Sequence, residues 1–310
     1  MLGGAGFIGS QIAARFSNDY DVTIIDGLID GTGGQVKNIK DIENLKFIDK
    51  CIEDVVELPS ILSKQDIIID SMGWSSHLGA IKEPRLDLEL NLESHIHLLE
   101  ILKHNYKKNC LVIYLGSTGQ YGMPVSDSVN ESSQMLPLDI QGINKASAEN
   151  FFRVYSKLYE MDIVSLRVPN CYGENQPCFG KDIGLIGGFL RSALINKCIE
   201  VYGEERKRNL IYVKDLVDVI LKITQKRNKS FQSYNVPCRN ISIKEIAKKI
   251  SSIVDQCALS FKELPSEVKH FDVNNINIDF RKIENLIHNH QFCDFEKSLK
   301  STFDYFRQTI

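Results

Sequence analysis

The 310-residue chain has little net charge, because 37 lysines and arginines face 40 aspartates and glutamates and leave a formal charge of −3. A protein that binds nucleic acid or an anionic membrane surface usually carries an excess or a patch of basic residues. The sequence therefore predicts neither nucleic acid nor a membrane as a partner. With 43% hydrophobic and 25% charged residues, the chain is a globular protein rather than a disordered, collagen-like or coiled-coil one.

From the sequence we also expect no membrane segment, no secretion signal and no paired cysteines. No apolar run reaches the roughly 18–20 residues that a transmembrane helix needs. The first residues lack the basic segment with which a signal peptide begins. The eight cysteines form no Cys-x-x-Cys pair and no metal-ligand cluster. We therefore expect a cytoplasmic protein with reduced thiols and without a metal site.

In the first half of the chain, short apolar runs alternate with amphipathic helical patterns. The predicted strands are Val22–Asp26, Leu45–Ile48, Ile67–Asp70, Leu111–Leu115 and Ile163–Leu166. The predicted helices are Phe7–Phe16, Val55–Leu62, Leu86–Leu102 and Lys145–Tyr159. Because runs rich in Ile and Val suit strands that are buried on both faces, this order predicts an α/β fold with a doubly wound parallel sheet of the Rossmann type.

The second half is less regular, and we expect it to form a smaller domain. Its predicted elements are helices at Gly188–Asn196, Leu216–Thr224, Ile243–Val254 and Phe295–Phe306 and strands at Ile211–Val213 and Tyr234–Val236. We assign residues 1–169 to a dinucleotide-binding domain that also receives elements from about 210–240. Residues 170–310 are assigned mainly to a substrate domain.

The start of the chain is unusual for this fold. A doubly wound sheet has its central first strand directly before the glycine turn, and a strand of about five residues is expected there. Only Met1 and Leu2 precede the turn. We expect either that the start codon is assigned too late or that the chain is shortened.

A glycine-rich turn opens the first predicted helix. Gly3, Gly6 and Gly9 form a Gly-x-x-Gly-x-x-Gly pattern. The first glycine permits a tight turn, the second lets the backbone approach a pyrophosphate, and the third lets helix and strand pack closely. The helix N-terminus at Phe7 and Ile8 offers unpaired N–H groups and a partial positive charge to phosphates. This pattern predicts a dinucleotide cofactor.

Two acidic residues follow at positions that suit the adenosine half of such a cofactor. Asp26 ends a predicted strand about 20 residues after the turn, where a carboxylate binds the two ribose hydroxyls and repels a 2′-phosphate. This favours NAD(H) over NADP(H), which stays the alternative. Asp54 either meets the adenine edge or caps the helix that is predicted to begin at Val55.

Ordered motifs continue along nearly the whole chain. They are Leu90-Asn91-Leu92, Leu115–Gly122, Arg167–Gly173, Val201–Gly203, Arg208–Asp215 and Tyr234–Val236. With the glycine turn, they resemble the motifs of the extended short-chain dehydrogenases/reductases in the NAD-dependent epimerase/dehydratase family, which acts on nucleotide sugars. The resemblance implies an enzyme with a nucleotide-sugar substrate. It also implies a homodimer, because Leu86–Leu102 and Lys145–Tyr159 match the helices that pair subunits in this family.

The resemblance further implies roles for single residues. Ser117 stands where the family has a Ser or Thr hydroxyl that hydrogen-bonds the reacting sugar oxygen. Asn170 and Arg208 stand at positions that bind the nucleotide diphosphate, and the planar donors of a guanidinium suit phosphate oxygens. Lys145 matches the catalytic lysine, which binds the nicotinamide ribose and biases nearby proton transfers.

The tyrosine of the family's catalytic Tyr-x-x-x-Lys pair is missing, because Gln141 stands four residues before Lys145. A spacing of four puts both side chains on one helical face, but an amide does not titrate. Gln141 can orient a carbonyl or hydroxyl, whereas a phenol adds general acid–base help worth roughly 10²–10⁴ in rate. His77, after a predicted strand, is either a replacement proton donor or a loop histidine without a role.

Three functions fit this pattern. Reducing a ready-made ketone requires no base, so we favour an NAD(P)H-dependent reductase of a nucleotide-linked 4-keto-6-deoxyhexose, such as a dTDP-sugar, for surface polysaccharide synthesis. The alternatives are a nucleotide-sugar 4-epimerase with a relocated acid–base group and a non-catalytic protein that binds NAD or a nucleotide sugar. A dehydratase is not expected, because Thr118 and Gly119 stand where dehydratases of the family have Asp-Glu.

Overall fold

The computed structural model of the chain describes residues 1–180, 183–226, 230–265, 275–288 and 291–310. The strands are β1 (Val22–Asp26), β2 (Leu45–Asp49), β3 (Ile67–Asp70), β4 (Leu111–Ser117), β5 (Ser128–Val129), β6 (Asp162–Val168), β7 (Asn170–Tyr172), β8 (Cys198–Tyr202), β9 (Lys207–Tyr212), β10 (Gln232–Asn235), β11 (Arg239–Ser242), β12 (Ala258–Lys262) and β13 (Asn277–Ile278).

The α-helices are α1 (Phe7–Phe16), α2 (Leu58–Leu62), α3 (His77–Lys82), α4 (Pro84–Leu88), α5 (Ser94–Asn105), α6 (Ile140–Tyr159), α7 (Gly184–Asn196), α8 (Val213–Thr224), α9 (Ile243–Ile253), α10 (Arg281–Ile287) and α11 (Phe295–Thr309). Short 3₁₀ turns lie at Val36–Asn38, Ile52–Asp54 and Thr118–Tyr121, and a π-helical turn lies at Glu89–Glu93. Within the described ranges, no helix combines the length and the apolarity needed to cross a bilayer.

The central sheet is built from parallel pairs. β1 pairs with β2, and four further strands pair in the order β3-β4-β6-β10. Parallel neighbours need crossover connections, and the helices between these strands supply them. The predicted α/β fold with a doubly wound parallel sheet is confirmed.

The residues before the glycine turn join the two parts of this sheet. Leu2 forms parallel bridges with Ile25 on β1 and with Asp70 at the end of β3. Its N–H donates to the Ile69 carbonyl, and its own carbonyl accepts from the Ser71 N–H. Leu2 thus lies in the centre of the sheet, and the glycine turn that follows it lies at the carboxyl edge.

Two apolar layers cover the faces of the sheet. On one face, α1, α8 and α10 pack with strand residues that include Ile24, Ile113 and Leu166. On the other face, α2, α5 and α6 pack with Val112 and Ile163. Because successive side chains of a strand point to opposite faces, the neighbours Val112 and Ile113 belong to different layers.

A second apolar core belongs mainly to the C-terminal half of the chain. In it, α7, α9 and α11 pack with β7, β8 and β9. β9 pairs in parallel with β7 and antiparallel with β11, and β8 pairs with β12. β10 instead joins the central sheet, and α8 and α10 also pack on it, so these parts of the C-terminal half belong to the first core. The domain boundary after residue 169 stays a prediction.

Candidate active site

A cavity of about 660 Å³ opens at the carboxyl edge of the central sheet. Its walls come from the glycine turn, the loops after β1, β2 and β3, and the segment from α4 to α5. In open α/β sheets, ligands bind in the crevice at this edge. Of the predicted cofactor residues, Gly3, Gly6 and Asp26 line the cavity.

The glycine turn forms a cradle that larger residues would fill. Gly3 has a φ of +69°, and a Cβ there would lie 2.9 Å from backbone atoms of Ser71 and Met72. A Cβ on Gly9 would lie 2.3 Å from the Gly3 carbonyl oxygen. At Gly6 a Cβ would lie 3.4 Å from the Gly3 carbonyl oxygen, an ordinary contact, and Gly6 itself lines the cavity. Gly3 and Gly9 therefore let the turn close, and Gly6 leaves room for a phosphate group.

Helix α1 begins at this cradle without a side-chain cap. Gly6 occupies the N-cap position in an extended conformation, and no side chain accepts from the first N–H groups of the helix. The Phe7 and Ile8 side chains pack against the apolar cores, so only their backbone N–H groups can serve a ligand. An uncapped helix N-terminus binds phosphate through such N–H groups and the helix dipole.

Asp26 ends β1 and ties the glycine turn to the loop that follows. Its Oδ2 accepts from the Ala5 N–H and its Oδ1 from the Leu28 N–H, both at 2.9 Å. Because a carboxylate has about four lone-pair sites, these two donors leave room for ribose hydroxyls from the cavity. Asp26 thus has a structural role that the sequence did not predict, and the ribose contact stays compatible with it.

The loop after β2 departs from the prediction for Asp54. Residues 51–53 line the cavity, whereas Asp54 is exposed and lies outside the described lining. The prediction that Asp54 caps a helix beginning at Val55 is wrong, because α2 begins at Leu58. Pro59, in the first turn of α2, suits a helix start at that point. The contact of Asp54 with the adenine edge stays a prediction.

Lys145 lies on α6 with its ammonium group buried behind the cavity wall. Its Nζ donates to the Met72 carbonyl at 3.2 Å. Burial lowers the pKa of Lys145 from 10.5 to about 8, although the carboxylates of Asp70 and Asp87 act in the opposite direction. A Cβ on Gly73, which lines the cavity, would lie 2.6 Å from Nζ. A side chain at position 73 would displace the ammonium group. Because Gly73 has no side chain, the Lys145 ammonium group can lie directly beside this part of the cavity wall.

Two side-chain amides hold the loop that carries Gly73 and Trp74. Asn91, in the π-helical turn, accepts from the Trp74 N–H and donates to the Trp74 carbonyl, both at 3.0 Å. Gln141 donates from Nε2 to the same carbonyl at 2.7 Å. Asp87 in turn accepts from Asn91 at 2.8 Å. Gln141 is therefore fixed behind the loop that forms this part of the wall, and an amide stands where the family has a titrating phenol.

Ser117 ends β4 and is held by the turn that follows it. Its Oγ accepts from the Gly119 N–H at 3.0 Å, and its own N–H donates to Gln120 Oε1 at 2.7 Å. Gln120 also donates to Glu149, which forms a buried ion pair with Arg167. Since the Ser117 oxygen already accepts a hydrogen bond, its proton can be donated to a sugar oxygen, as its predicted role requires.

The first turn of α6 brings these parts together. The helix begins at residue 140 rather than 145, because Asp139 caps it by accepting from the Gly142 N–H at 2.6 Å. A Cβ on Gly142 would lie 3.0 Å from the Gly119 carbonyl oxygen, so this turn packs on the one that holds Ser117. Gln141 lies in the same helical turn. Sequence reasoning missed Asp139, although an aspartate directly before an apolar residue such as Ile140 is an N-cap signal.

A histidine–aspartate pair stands at this end of α6. His77, the first residue of α3, has its Nδ1 2.8 Å from Asp139 Oδ2. The sequence singled out His77, but its partner lies 62 residues away along the chain. Only the packing of α3 against α6 brings the two side chains together.

Asn170 and Arg208 lie on the second sheet, outside the described lining of the cavity. Asn170 pairs with Leu210 in the β7–β9 ladder, and Arg208 stands two residues before Leu210, so both side chains share a face. Asn170 donates to the Asn209 carbonyl at 3.3 Å, and Arg208 donates to the Lys207 carbonyl at 2.9 Å. An amide and a guanidinium on one face supply donors for a diphosphate.

Comparison with known proteins matches both the motifs and the fold. Residues 1–236 match the model described as the NAD dependent epimerase/dehydratase family. A Methanocaldococcus jannaschii protein that bears the provisional name UDP-glucose 4-epimerase is 26% identical over 289 residues, which cover 92% of this chain and 91% of that protein.

Two solved structures superpose on nearly the whole chain. The UDP-N-acetylglucosamine 4-epimerase from Methanobrevibacter ruminantium, in complex with UDP-N-acetylmuramic acid, gives a TM-score of 0.90 at 25% identity over 100% of this chain and 97% of that one. The UDP-glucose 4-epimerase from Thermotoga maritima, with UDP-glucose, gives a TM-score of 0.87 at 25% identity over 99% of this chain and 98% of that one.

The cavity fits NAD, and the prediction of this cofactor is confirmed by the family match. The cradle around Gly6 and the uncapped helix start suit the pyrophosphate, and Asp26 suits the adenosine ribose. Glu53, in the loop after β2, adds a further carboxylate to the lining, and this negative charge disfavours the 2′-phosphate of NADP. Lys145, beside Gly73, would hold the nicotinamide ribose. Within the described residues, no group of three or more His, Cys, Asp or Glu side chains is placed to hold a metal ion.

Proposed function

Because the chain belongs to the NAD dependent epimerase/dehydratase family, we propose that it is an enzyme that inverts C4 of a sugar carried by a nucleoside diphosphate. One observation carries this proposal. Ser117, Gln141 and Lys145 all converge on the first turns of α6, where Lys145 and Gln141 bind the loop on either side of Gly73. That loop also forms the wall of the cofactor cavity.

This arrangement supplies what a redox reaction at a sugar carbon needs from the protein. NAD, when bound, supplies a reversible acceptor of hydride. Ser117 donates a hydrogen bond to the C4 oxygen, and the Lys145 ammonium places a positive charge beside the reacting groups. Inversion at C4 passes through a ketone, so a donor that serves both the alcohol and the carbonyl oxygen is useful in each direction.

The relatives favour epimerisation over reduction. The Methanocaldococcus jannaschii protein and the two solved structures are all named as 4-epimerases. Both solved structures contain a UDP-sugar, which makes UDP-sugars the first substrates to test. Asn170 and Arg208 share a face of the second sheet and support binding of the diphosphate.

Reduction of a nucleotide-linked 4-keto-6-deoxyhexose is the second candidate, and Gln141 is the observation that favours it. The Gln141 amide does not titrate, and its Nε2 is engaged by the Trp74 carbonyl. It cannot serve as the base that oxidation of an alcohol requires, whereas reduction of a ketone begins with the carbonyl already formed.

One experiment separates these functions. The purified chain is incubated with NAD and UDP-glucose, UDP-N-acetylglucosamine or dTDP-glucose, and the sugar configuration is followed by proton NMR. In parallel, the chain is mixed with NADH and a dTDP-4-keto-6-deoxyhexose while the nicotinamide absorbance is recorded. A Lys145→Met chain serves as the inactive control in both assays.

The outcomes differ in kind. We expect a C4 epimer to form without net change in the nicotinamide. Stoichiometric oxidation of NADH by the keto sugar, with no epimer formed, would instead establish the reductase. Nucleotide-sugar binding without either reaction would leave a non-catalytic binding protein and overturn both candidates.

A further inference from the structure

A buried histidine–aspartate pair lies behind residues that line the cavity. Asp70 ends β3 and precedes Ser71, and His95 on α5 lies between two further lining residues. Both side chains are fully buried, and His95 Nδ1 lies 2.7 Å from Asp70 Oδ2. Because an ionised carboxylate only accepts hydrogen bonds, Nδ1 carries the proton and donates it to Asp70.

The bond with Asp70 is the polar contact that His95 makes. The imidazole ring packs against the Tyr114 and Phe152 rings, with centroids 5.0 and 6.0 Å away. Its Nε2 is buried and has no hydrogen-bond partner in the part of the chain that the structure describes. Burying a polar ring is costly unless its polar atoms are bonded, so the bond with Asp70 is what a histidine provides here beyond packing.

Asp70 passes this constraint to the loop that carries Gly73. Its Oδ1 accepts from the Met72 N–H at 3.1 Å. The Met72 carbonyl in turn accepts from Lys145 Nζ at 3.2 Å. Asp70 and Lys145 therefore bind the two backbone groups of the same residue. The orientation of the Asp70 carboxylate thus determines where the carbonyl that binds the ammonium group lies.

Asp70 also contributes negative charge at the Lys145 ammonium. Burial lowers the pKa of Lys145, and the carboxylates of Asp70 and, to a smaller extent, Asp87 act against it. Asp87 already accepts from the uncharged amides of Asn91 and Asn144. Asp70 is therefore the carboxylate with the larger influence on the charge of Lys145.

Other ionisable groups around the pair are engaged elsewhere. The ammonium group of Met1 faces Asp70 and donates to a backbone carbonyl. Within the described ranges, the further buried ionisable side chains on elements packed against α5 and α6 are Tyr114, Tyr121, Glu149, Asp162 and Arg167. The Tyr114 ring lies 5.4 Å from Lys145 Nζ. Glu149, Arg167 and Tyr121 bind one another, and Asp162 begins β6 at the amino edge of the sheet.

We propose that Asp70 and His95 are positioning residues for Lys145: Asp70 fixes the Met72 backbone that binds Nζ and faces the ammonium with its charge, and His95 holds Asp70 in that orientation. The consequence for turnover rests on the proposed C4 chemistry, in which the Lys145 ammonium stands beside the reacting groups. The titration of Lys145 itself does not depend on that chemistry, so the pair can be tested without a substrate.

Titration of Lys145 tests the pair directly. The nucleotide-free chain is labelled with ¹³C at the lysine Cε, and the Lys145 resonance is assigned by its absence in Lys145→Met. We expect a midpoint of about 8 in the wild-type chain. In Asp70→Asn it should fall by about one pH unit or more, because the opposing charge is lost. Asp66→Asn, which removes an exposed aspartate before the same strand, should leave it unchanged. Equal midpoints in the wild-type and Asp70→Asn chains overturn the proposal.

Two substitutions at His95 separate its hydrogen bond from the packing of its ring. His95→Asn and His95→Leu both remove the ring, but only the asparagine amide can donate to Asp70 from the δ position. We expect the Lys145 midpoint to be lower in His95→Leu than in His95→Asn, because a buried carboxylate without its donor is held less well in its ionised form. We also expect kcat to be at least about tenfold lower in His95→Leu, since the ammonium group is misplaced.

The comparison has a control and a contrary outcome. His104→Leu, which removes an exposed histidine of the same helix, should change neither the midpoint nor kcat. Equal midpoints and equal kcat in His95→Leu and His95→Asn would assign His95 to packing alone and overturn its positioning role. Both variants keep Asp70, so they test the pair even where Asp70→Asn does not fold.

The pH dependence of kcat distinguishes positioning from a general loss of structure. Because the ammonium is the form that acts, kcat should fall as pH rises through the Lys145 midpoint. In Asp70→Asn this descending limb should move to lower pH together with the NMR midpoint. A variant that only loses structure has a lower kcat at every pH and keeps the limb at its wild-type position. That result would overturn the catalytic consequence.

Failure of this proposal is distinguishable from failure of the proposed function. A wild-type chain that turns over a nucleotide sugar, with an unchanged Lys145 titration in Asp70→Asn, removes the pair and leaves the function. A wild-type chain that turns over no nucleotide sugar of the panel removes the function. The NMR midpoints then still decide whether Asp70 and His95 position Lys145.

Discussion

At the scale of single residues, Lys145 is a group whose charged form is disfavoured by the fold. Burial lowers its pKa from 10.5 to about 8, so between these values the folded chain binds fewer protons than the unfolded chain. Stability rises with pH wherever the unfolded state binds more protons. The Lys145 contribution is therefore unfavourable at neutral pH and is relieved as pH rises from about 8 to 10.5.

This argument predicts a pH-dependent difference between two chains. Relative to Lys145→Met, the free energy of unfolding of the wild-type chain should rise by about 2 kcal/mol between about pH 7.5 and about pH 10. Urea unfolding of the nucleotide-free chains at several pH values measures it. Lys157→Met, which removes an exposed lysine of the same helix, is the control. Parallel stability curves for wild type and Lys145→Met would show that the buried ammonium is not the cause.

The second prediction at this scale concerns Gln141. A tyrosine there would stand one helical turn before Lys145, on the same face, and a neighbouring ammonium lowers the pKa of a phenol. We expect Gln141→Tyr to raise kcat for C4 epimerisation by about tenfold or more, because a phenol adds the proton transfer that an amide cannot provide. Gln141→Phe, which cannot titrate, is the matched control.

The control identifies the group responsible. A gain by Gln141→Tyr but not by Gln141→Phe ties the gain to the phenol hydroxyl. An unchanged kcat in Gln141→Tyr would mean that another group already supplies the proton transfer. Steady-state kcat in the epimer assay measures both variants.

At the scale of elements, the glycine turn before α1 is packed too tightly to accept a methyl group at Gly9. A Cβ on Gly9 would lie 2.3 Å from the Gly3 carbonyl oxygen and 2.8 Å from the Gly4 Cα, and backbone atoms cannot move aside as a flexible side chain can. We expect Gly9→Ala to weaken NAD binding by at least about tenfold and to destabilise the chain by about 1–3 kcal/mol. Fluorescence of Trp74, the single tryptophan, offers a binding signal for the nucleotide.

Gly188 on α7 provides the control for this substitution. No atom lies within 4 Å of a Cβ placed there. Gly188→Ala should therefore leave NAD binding unchanged and shift stability by no more than about 1 kcal/mol, in the stabilising direction. If Gly9→Ala and Gly188→Ala lowered NAD affinity equally, the role of the glycine turn in binding NAD would be refuted.

The elements that the sequence predicted best are those with a clear period and a local boundary signal. α1 and β1 have the predicted limits, because a glycine turn opens the helix and a polar segment separates it from the strand. The span from Leu86 to Leu102, predicted as one helix, instead contains a π-helical turn. In this turn, the Asn91 side chain reaches the loop after β3 and binds the Trp74 backbone. Such an insertion follows from tertiary contacts and not from periodicity.

The site was predictable to the extent that it lies in contiguous motifs. Ser117 and Lys145 could be named from residues beside them in the sequence, and the structure joins them through the start of α6. The pairing of His77 with Asp139 depends on how two helices pack, and no local pattern encodes a contact across 62 residues. The start of α6 was missed because Gly142 and polar neighbours interrupt the apolar period in its first turn.

At the scale of the whole molecule, the outer face of α6 is left uncovered in a single chain. Ile143, Phe151, Val154 and Leu158 are between 38% and 63% exposed. At 100° per residue these four positions fall within a narrow stripe, opposite the buried Lys145 and Phe152. An exposed apolar stripe of this kind is typical of a protein interface. A homodimer, which the family resemblance implies, would cover it with a second copy of the chain.

We therefore expect a homodimer in which the α6 stripe of each subunit faces its partner. The double substitution Val154→Glu and Leu158→Glu places two carboxylates at the centre of the stripe. Because burying unpaired charges in an interface is costly, we expect the dimer to become a monomer. Light scattering on a sizing column measures the change, from twice the 35.2 kDa of one chain to that mass itself. Val56→Glu, at an 85% exposed valine outside this stripe, should leave the dimer intact. A wild-type chain that elutes as a monomer at every concentration would assign the stripe to a different partner.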